Sequence, residues 1–419
     1  MQQKEKMIKN KKLIPKLRFP EFPENWNIIS VSDMCDVYRG GTFSKADMDE
    51  NGSEFCIHYG ELFTKYNEVI SSIYSKTNKS DGFKSEVGDI LMPSSDVTPD
   101  GLAKASAIML EDVILGGDMN ILRPKINVDS VFLSYLLNHS KSEIIKLVSG
   151  TTVKHIYPSQ IITCQLPIAN NKSEQQKIAS CLSSLDALIE AHTVKLELLK
   201  DHKKGLIQNL FPQKGEKVPK LRFKQFENDE EWIEKKLGQI GEPLMCKRVF
   251  KEQTSENRIN GIPFYKIGTF GKQADSYITI ELFDEYKSKY SFPNIGDILI
   301  SASGTIGRLV VYDGAPAFFQ DSNIIWLGND EKNILNSFLF YSYSTIRWQT
   351  SDGGIISRLY NSDFKNMQVR FPKNKTEQQK IASCLSSLDE LITVQVDKIQ
   401  QLKLHKKGLM QGLFPKIID

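Results

Sequence analysis

The sequence predicts an α+β chain organised as a pseudo-twofold tandem repeat, in which two mixed α/β domains are separated by an antiparallel two-helix coiled coil. Three observations predict it. The thirteen residues EQQKIASCLSSLD at 174–186 recur unchanged at 377–389, 203 positions later. Shorter matches flank them along most of the chain. The stretch after each copy spaces its apolar residues by alternating steps of four and three, the mark of a helix with a seam.

The elements follow in order. The N-terminal segment, 1–26, is basic: seven Lys/Arg precede Phe19 against one acid, Glu5. It has no apolar run of the signal-peptide kind. It closes with PKLRF (15–19) and Trp26, and PKLRF (219–223) with Trp232 returns in the linker 213–232. The globular portions are 27–170 and 233–372. In them IHYG (57–60) matches YKIG (265–268), and VGDILM (87–92) matches IGDILI (295–300). GDMNIL (117–122) likewise matches QDSNII (320–325), and VKHIY (153–157) matches ISRLY (356–360). The offset climbs from 204 to 208 and then settles at 203. Insertions and deletions are therefore confined to the globular portions. Within these, GDILISASGTIGRLVVY reads as β-runs about a Gly/Ser turn, while 130–148 and 333–350 read as helices. Asp118 and Asp321, each two residues before an asparagine, read as turns leading into buried strands.

The repeated helices are expected over 173–212 and 376–415. Their seams are Ile178, Leu182, Leu185, Ile189, Leu196, Leu199, Leu206 and Leu210, then Ile381, Leu385, Leu388, Ile392, Ile399, Leu402, Leu409 and Leu413. His192 and Lys203, with Gln395 and Lys406, interrupt the seams, as polar register-setting residues do. Ser173 and Thr376 stand at N-cap spacing from Gln176 and Gln379, and Pro212 and Pro415 mark the ends. A helix of about 36 residues is about 54 Å long, and its apolar seam needs a cover. The cover expected is the other copy, antiparallel. Identity at Lys177, Ser180, Ser184, Lys203 and Lys204 suggests that both copies also meet one partner protein.

Composition narrows the function. With 419 residues, 40% hydrophobic and 25% charged, the chain can bury real cores. No stretch is long and apolar enough for a membrane span. Six cysteines without a CxxC pair fit a reducing, cytoplasmic setting. A net charge of +3 makes no general case for nucleic acid, so any such case rests on local clusters. The chain has no phosphate-binding GxxxxGK[ST] loop, no HExxH, no zinc spacing and no Asn-Pro-Pro-aromatic motif. GTFG (268–271) and SGTIG (303–307) are too short to be nucleotide fingerprints. No catalytic residue and no metal or cofactor site is expected. The pattern is one of recognition rather than transformation, which a two-domain scaffold for a non-DNA ligand would also fit. Two matched polar loops, SGTTVKH and SDGGIISR, carry Lys154, His155 and Arg358 beside small residues that let a ligand approach the backbone.

EQQKIASCLSSLDALI followed by HKKGLIQNLF, with PKLRF and a tryptophan opening each half, resembles the specificity subunit of type I restriction-modification enzymes. The resemblance covers essentially the whole chain. It implies two target-recognition domains, each reading one half of a bipartite double-stranded DNA site, held apart by the paired helices. It implies two methyltransferase subunits docked on the helices, restriction subunits in the full complex, and no catalysis by this chain. S-adenosylmethionine and ATP would belong to those partners. The family supplies no short DNA-contact motif, so the DNA-binding candidates are the polar and basic residues of matched loops. In the first domain these are Arg39, Lys45, Ser94, Lys104, Lys154 and His155. In the second they are Lys247, Arg248, Lys266, Ser303, Thr305, Arg308 and Arg358.

Overall fold

The computed structural model describes residues 13–346, 348 and 358–415. The basic cluster before Leu13 and most of the SDGGIISR loop lie outside the described residues. The chain forms two compact units: residues up to Val194 with those from Asp397 onward, and Lys195–Val396. Each unit takes part of both long helices, Lys172–Leu210 and Lys375–Leu413.

In the first unit a five-stranded sheet runs in the order Cys35–Arg39, Met119–Pro124, Ile90–Pro93, Ser106–Ile108, Val69–Ile70. Its central strands are buried on both faces, so they read as nearly continuous apolar runs (ILMP, MNIL, broken only by Asn120) rather than as alternation. A four-stranded sheet of Ser75–Thr77, Glu54–Ile57, Ile114–Leu115 and Phe83–Lys84 lies beside it in sequence. The first strand of the globular portion, Asn27–Ser30, pairs antiparallel with the last, Gln165–Ile168, which closes the domain just before the helix. In the second unit Ile233–Lys236 pairs with Gln368–Phe371 in the same way. Its main sheet has four strands, Pro243–Leu244, Ile324–Leu327, Ile298–Ser301 and Leu309–Val311. The predicted β-run about a Gly/Ser turn is the antiparallel pair Ile298–Ser301 and Leu309–Val311. The predicted helices are shorter than expected: Ser130–His139 and Lys141–Ile145 in one unit, Asn336–Tyr343 in the other.

The repeated residues form a repeated joint. Glu174 is 1% exposed and accepts a two-pronged pair from Arg18, at 2.8 and 2.9 Å, and the Trp26 indole N–H at 3.1 Å. Glu377, fully buried, receives Arg222 at 2.8 and 2.8 Å and the Trp232 indole at 3.3 Å. The next residue is equally committed. Gln175 receives the Asp129 N–H and donates to the Ala169 carbonyl, and Gln378 receives the Leu335 N–H and donates to the Pro372 carbonyl. Beside each tryptophan an aromatic triad closes the core: Trp26, Phe132 and Phe414 in one unit, Trp232, Phe338 and Phe211 in the other. Each such ring pair contributes about 0.5–1.5 kcal/mol beyond its buried area.

Within each unit the end of one long helix lies against the start of the other. In the first, Lys406 is 2.7 Å from Asp186, which also accepts the Tyr135 hydroxyl at 2.5 Å. In the second, Lys203 is 2.5 Å from Asp389, which accepts the Tyr341 hydroxyl at 2.8 Å. Ile178, Leu182, Leu413 and Phe414 enter one core, and Ile381, Leu385, Leu210 and Phe211 enter the other.

Two expectations are corrected here, the place of the helix caps and the exposure of Lys203. The helices begin one residue earlier than Ser173 and Thr376, and the capping side chains are Asn171 and Asn374, which accept the Ser173 and Thr376 N–H groups at 2.8 and 3.0 Å. An asparagine accepts such a bond as readily as a serine, and these two lie where the chain turns out of the strand. Lys203 is only partly exposed and turns to Asp389, whereas Lys177 is exposed, as expected. Lys177 pairs with Glu21 and lies over Phe19, as Lys380 lies over Phe223. Ser180, Ser184 and Lys204 are exposed.

All six cysteines are free thiols. Burial pushes Cys35 and Cys246 up to about 12 and Cys56 and Cys164 up to about 11, so these four stay protonated and inert. Among the described residues, no helix is long and apolar enough to cross a membrane, and no cluster of His, Cys, Asp and Glu could hold a metal ion.

Candidate nucleic-acid interface

In the first unit most of the candidate residues gather round the turn into the strand Met119–Pro124. Asp118 occupies that turn with φ +55°, a conformation that aspartate tolerates better than most residues. Its carbonyl accepts the Ser94 N–H at 2.8 Å, and its carboxylate lies 3.8 Å from the Arg39 guanidinium. Arg39 ends the neighbouring strand, opposite Asn120. The Ser94 carbonyl accepts the Ile156 N–H, and the Asn120 side chain donates to the Ile156 carbonyl at 3.0 Å. Lys154 and His155 continue this edge, pairing with Asp96 and Ser95. The Lys154 ammonium closes its own loop on the Gly150 and Thr151 carbonyls, at 2.9 and 2.8 Å, and the His155 ring stacks on Tyr157. Gly150 has φ +98° there, and a Cβ would meet the Val153 carbonyl oxygen at 2.2 Å.

Arg39, Ser94, Lys154 and His155 thus share one edge. Ser94 is only 4% exposed and supports the turn, whereas the Arg39 side chain is 57% exposed and keeps most of its donors for a ligand. Lys45 is exposed on the short helix Lys45–Asp47. Lys104 stands apart. Its ammonium donates to the Tyr66 carbonyl at 2.6 Å, burial lowers its pKa, and its charged neighbours are Glu68, Lys141 and Lys406.

The second unit builds the corresponding cluster with other contacts. Ser322 takes the left-handed conformation, φ +60°, beside Asp321. Arg248 pairs with Asp321 at 2.9 Å, and Arg358 donates to the Ser322 carbonyl at 3.0 Å. Ser303 donates to the Asn323 side chain at 2.9 Å and bridges Arg358 through the backbone. The Thr305 carbonyl accepts the Ser301 hydroxyl at 2.5 Å, and the Arg308 guanidinium donates to the Phe270 carbonyl at 2.8 Å. Lys266 lies 2.9 Å from Asp275, and Lys247 sits over the Tyr290 ring at 4.7 Å. The turn that carries Ser303 and Thr305 is covered by Trp348, since a Cβ on Gly307 would lie 2.4 Å from its ring.

Both clusters therefore present an arginine held by an aspartate at the turn into the central strand. Asp118 and Asp321 are turn residues, as expected, and they also orient the arginines. Sequence reasoning missed Trp348 and His58. The repeat itself could have found His58, because IHYG aligned on YKIG puts it at the position of Lys266. A basic group held on a polar turn, with donors to spare, suits hydrogen bonding to phosphates and base edges.

Comparison with known proteins identifies the family. The pattern of one family, described as the type I restriction modification DNA specificity domain, matches residues 23–201 and again 229–404. The type I restriction enzyme MjaVIII specificity subunit of Methanocaldococcus jannaschii is 25% identical over 412 residues, 93% of this chain and 92% of that one. A Haemophilus influenzae protein, named as a candidate subunit of the same kind, is 52% identical over 155 residues, which span 37% of this chain and 40% of its own. Among solved structures, the S subunit of a type I restriction-modification system from M. genitalium shares the fold, with a TM-score of 0.64 at 18% identity over 96% of this chain and all of that one. The chain belongs to the family of type I restriction-modification DNA specificity domains, whose pattern it carries twice.

Proposed function

We propose that the chain is the DNA-reading, non-catalytic subunit of a type I restriction-modification complex, each globular domain reading one half of a bipartite duplex site. The observation that carries this is the doubled match to the DNA specificity pattern, with an arginine-bearing turn at the corresponding place in each half. Arg39, Lys45, Lys154 and His155 would face the first half-site, and Lys247, Arg248, Lys266, Thr305, Arg308 and Arg358 the second. Ser94, Ser303 and Lys104 would hold the turns and the domain that present them.

In this reading the long helices pair antiparallel as a coiled coil and act as a ruler. The salt links Lys406–Asp186 and Lys203–Asp389, each inside one unit, support that pairing. A helix of 39 residues is about 58 Å long, against about 34–36 Å for one turn of duplex, so the ruler can hold two readers apart by a fixed number of unread base pairs. The exposed identical positions, Ser180, Ser184 and Lys204 with their copies, would meet two methyltransferase subunits, and restriction subunits would join that core in the cytoplasm.

Methylome sequencing of a host that expresses the chain with its methyltransferase tests the reading. The expected result is one methylated motif in two parts with a constant gap. Undivided motifs, or no new methylation, would overturn it.

A further inference from the structure

The matched segments VKHIY (153–157) and ISRLY (356–360) share one residue, the tyrosine at which each ends. Tyr157 and Tyr360 are held in the same way. The residue before each is buried, Ile156 or Leu359, and its N–H bonds to the carbonyl that follows a central strand, Ser94 at 3.1 Å or Ala302 at 2.8 Å. Each tyrosine is extended, with φ −104° and ψ 156° in one unit and φ −83° and ψ 154° in the other. Its own carbonyl accepts the N–H four residues on, from Ile161 at 3.0 Å or Phe364 at 2.9 Å, and both of those residues are buried. The backbone is thus fixed on both sides with the side chain directed outward: Tyr157 is 42% exposed and Tyr360 53%. The Tyr157 ring stacks on His155 with centroids 5.9 Å apart, and Arg358 stands at the position of His155 in the second unit. Two residues on, an exposed serine is also shared, Ser159 or Ser362, so both domains present the same Tyr-x-Ser pair of hydroxyls.

Other residues shared by the matched segments have their reason in the fold. Gly88 and Gly296 take positive φ, and Ile90, Ile298, Ile121 and Ile324 are buried. An exposed hydroxyl has no such reason, and its neighbours Ile156 and Leu359, or Pro158 and Asn361, have changed around it. It points to a ligand that both domains meet. That ligand is not a base sequence, because the two halves of a bipartite site differ as their readers do. It is the sugar-phosphate backbone, which is the same under any sequence and to which tyrosine hydroxyls donate. The place favours DNA over a methyltransferase subunit. The tyrosines follow Lys154, His155 and Arg358 on the edges already described, whereas Ser180, Ser184 and Lys204 lie on a long helix. We propose that Tyr157 and Tyr360 are equivalent phosphate clamps, each donating its hydroxyl to a backbone phosphate of its own half-site and setting the register from which the divergent residues read bases. The proposal rests on the bipartite DNA reading above and adds to it a contact common to both halves.

The test uses the full chain assembled with its methyltransferase subunits, as wild type, Tyr157→Phe, Tyr360→Phe and the double variant. The probes are a duplex carrying the motif that methylome sequencing gives for the wild type and a duplex of scrambled sequence. Each single variant should weaken both duplexes by the same factor, about three- to tenfold for one lost hydrogen bond, and the double variant by about the product. The methylated motif should stay the same. So should the dependence of affinity on salt, since a neutral hydroxyl displaces no counterion. Phenylalanine keeps the ring and its packing, so the thermal midpoint should not move. Several results would overturn the proposal while leaving the bipartite reading intact. These are binding undiminished in either single variant; a loss confined to the cognate duplex, or a motif relaxed at one position, which would make the tyrosines base readers; and methyltransferase subunits lost on co-purification, which would make the partner the shared ligand. A wild type without any two-part motif would instead remove the bipartite reading, and the proposal with it.

Discussion

The tripeptide Gly-Asp-Ile occurs at the same place in both globular portions, and its two aspartates are handled differently. Asp89, 1% exposed, lies in the fork of Arg123, with Nε and Nη2 both at 2.8 Å. Asp297, 5% exposed, takes the Asn294 N–H at 2.8 Å and the Asn336 amide at 3.4 Å, but no arginine. The alignment of GDMNIL with QDSNII puts Trp326 where the first unit has Arg123, and Trp326 is buried in an aromatic core. One unit neutralises its buried carboxylate with a charge. The other packs an aromatic there, and burial raises the pKa of Asp297. The joints at the helix starts show no such divergence: Arg18, Glu174 and Trp26 in one unit and Arg222, Glu377 and Trp232 in the other make the same three bonds. Positions that hold the chain together are solved once and copied, whereas positions inside the reading domains are free to find separate solutions.

The largest effects should come from the joint. Arg222→Ala leaves the fully buried Glu377 without its cation, which costs about 3–5 kcal/mol in denaturant unfolding. Arg18→Ala should cost nearly as much, and a large inequality between them would break the equivalence of the joints. Next, Arg123→Ala should cost about 2–3 kcal/mol, because it strands the buried Asp89, and less than at the joint because Arg123 is itself partly exposed and its loss lets water in. Asp297→Asn should do the opposite at pH 7. With the folded pKa raised above the unfolded value, the stability that Asp297 supplies when protonated is present at acid pH and is lost as pH rises through the folded pKa. The amide variant should therefore be as stable as the parent or more so at pH 7, with the gain shrinking toward pH 4. Equal acid profiles for parent and variant would remove the contrast with Asp89.

Smaller effects are expected at the candidate interface. Lys154→Ala should weaken binding to duplexes through the first half-site, and Arg358→Ala through the second, each by about tenfold in competition binding. Loss on both halves from either change would dissolve the division of labour. The smallest changes should be gains. Gly205 and Gly408 lie within the long helices, and nothing stands within 4 Å of an added Cβ. Gly205→Ala and Gly408→Ala should each stabilise the isolated chain by about 0.4–1 kcal/mol, read as a shift in thermal midpoint.

The tandem plan, the helix positions and the turns at Asp118 and Asp321 were legible because each is local or periodic. A seam of eight apolar residues repeats at fixed steps, and a turn residue precedes an apolar run. The N-caps were misplaced by two residues because Ser173 and Asn171 both suit the role, and the choice follows from where the strand Gln165–Ile168 ends. Most candidate residues of the first domain share an edge because matched loops flank the same strand. Lys104 does not, since its loop turns its ammonium onto the Tyr66 carbonyl, a contact 38 residues away that no spacing announces.

Covalent order thus settled what depends on near neighbours: a duplicated chain, two rods with a stripe of apolar side chains, and polar loops with spare hydrogen-bond donors. Packing settled the pairings between distant residues. It set Glu174 under Arg18 and Trp26, Tyr135 on Asp186, and Arg39 beside Asp118. The physical reason is that helix and turn propensities act over a few residues, while a buried charge must find its counter-ion wherever the fold brings one within about 3 Å.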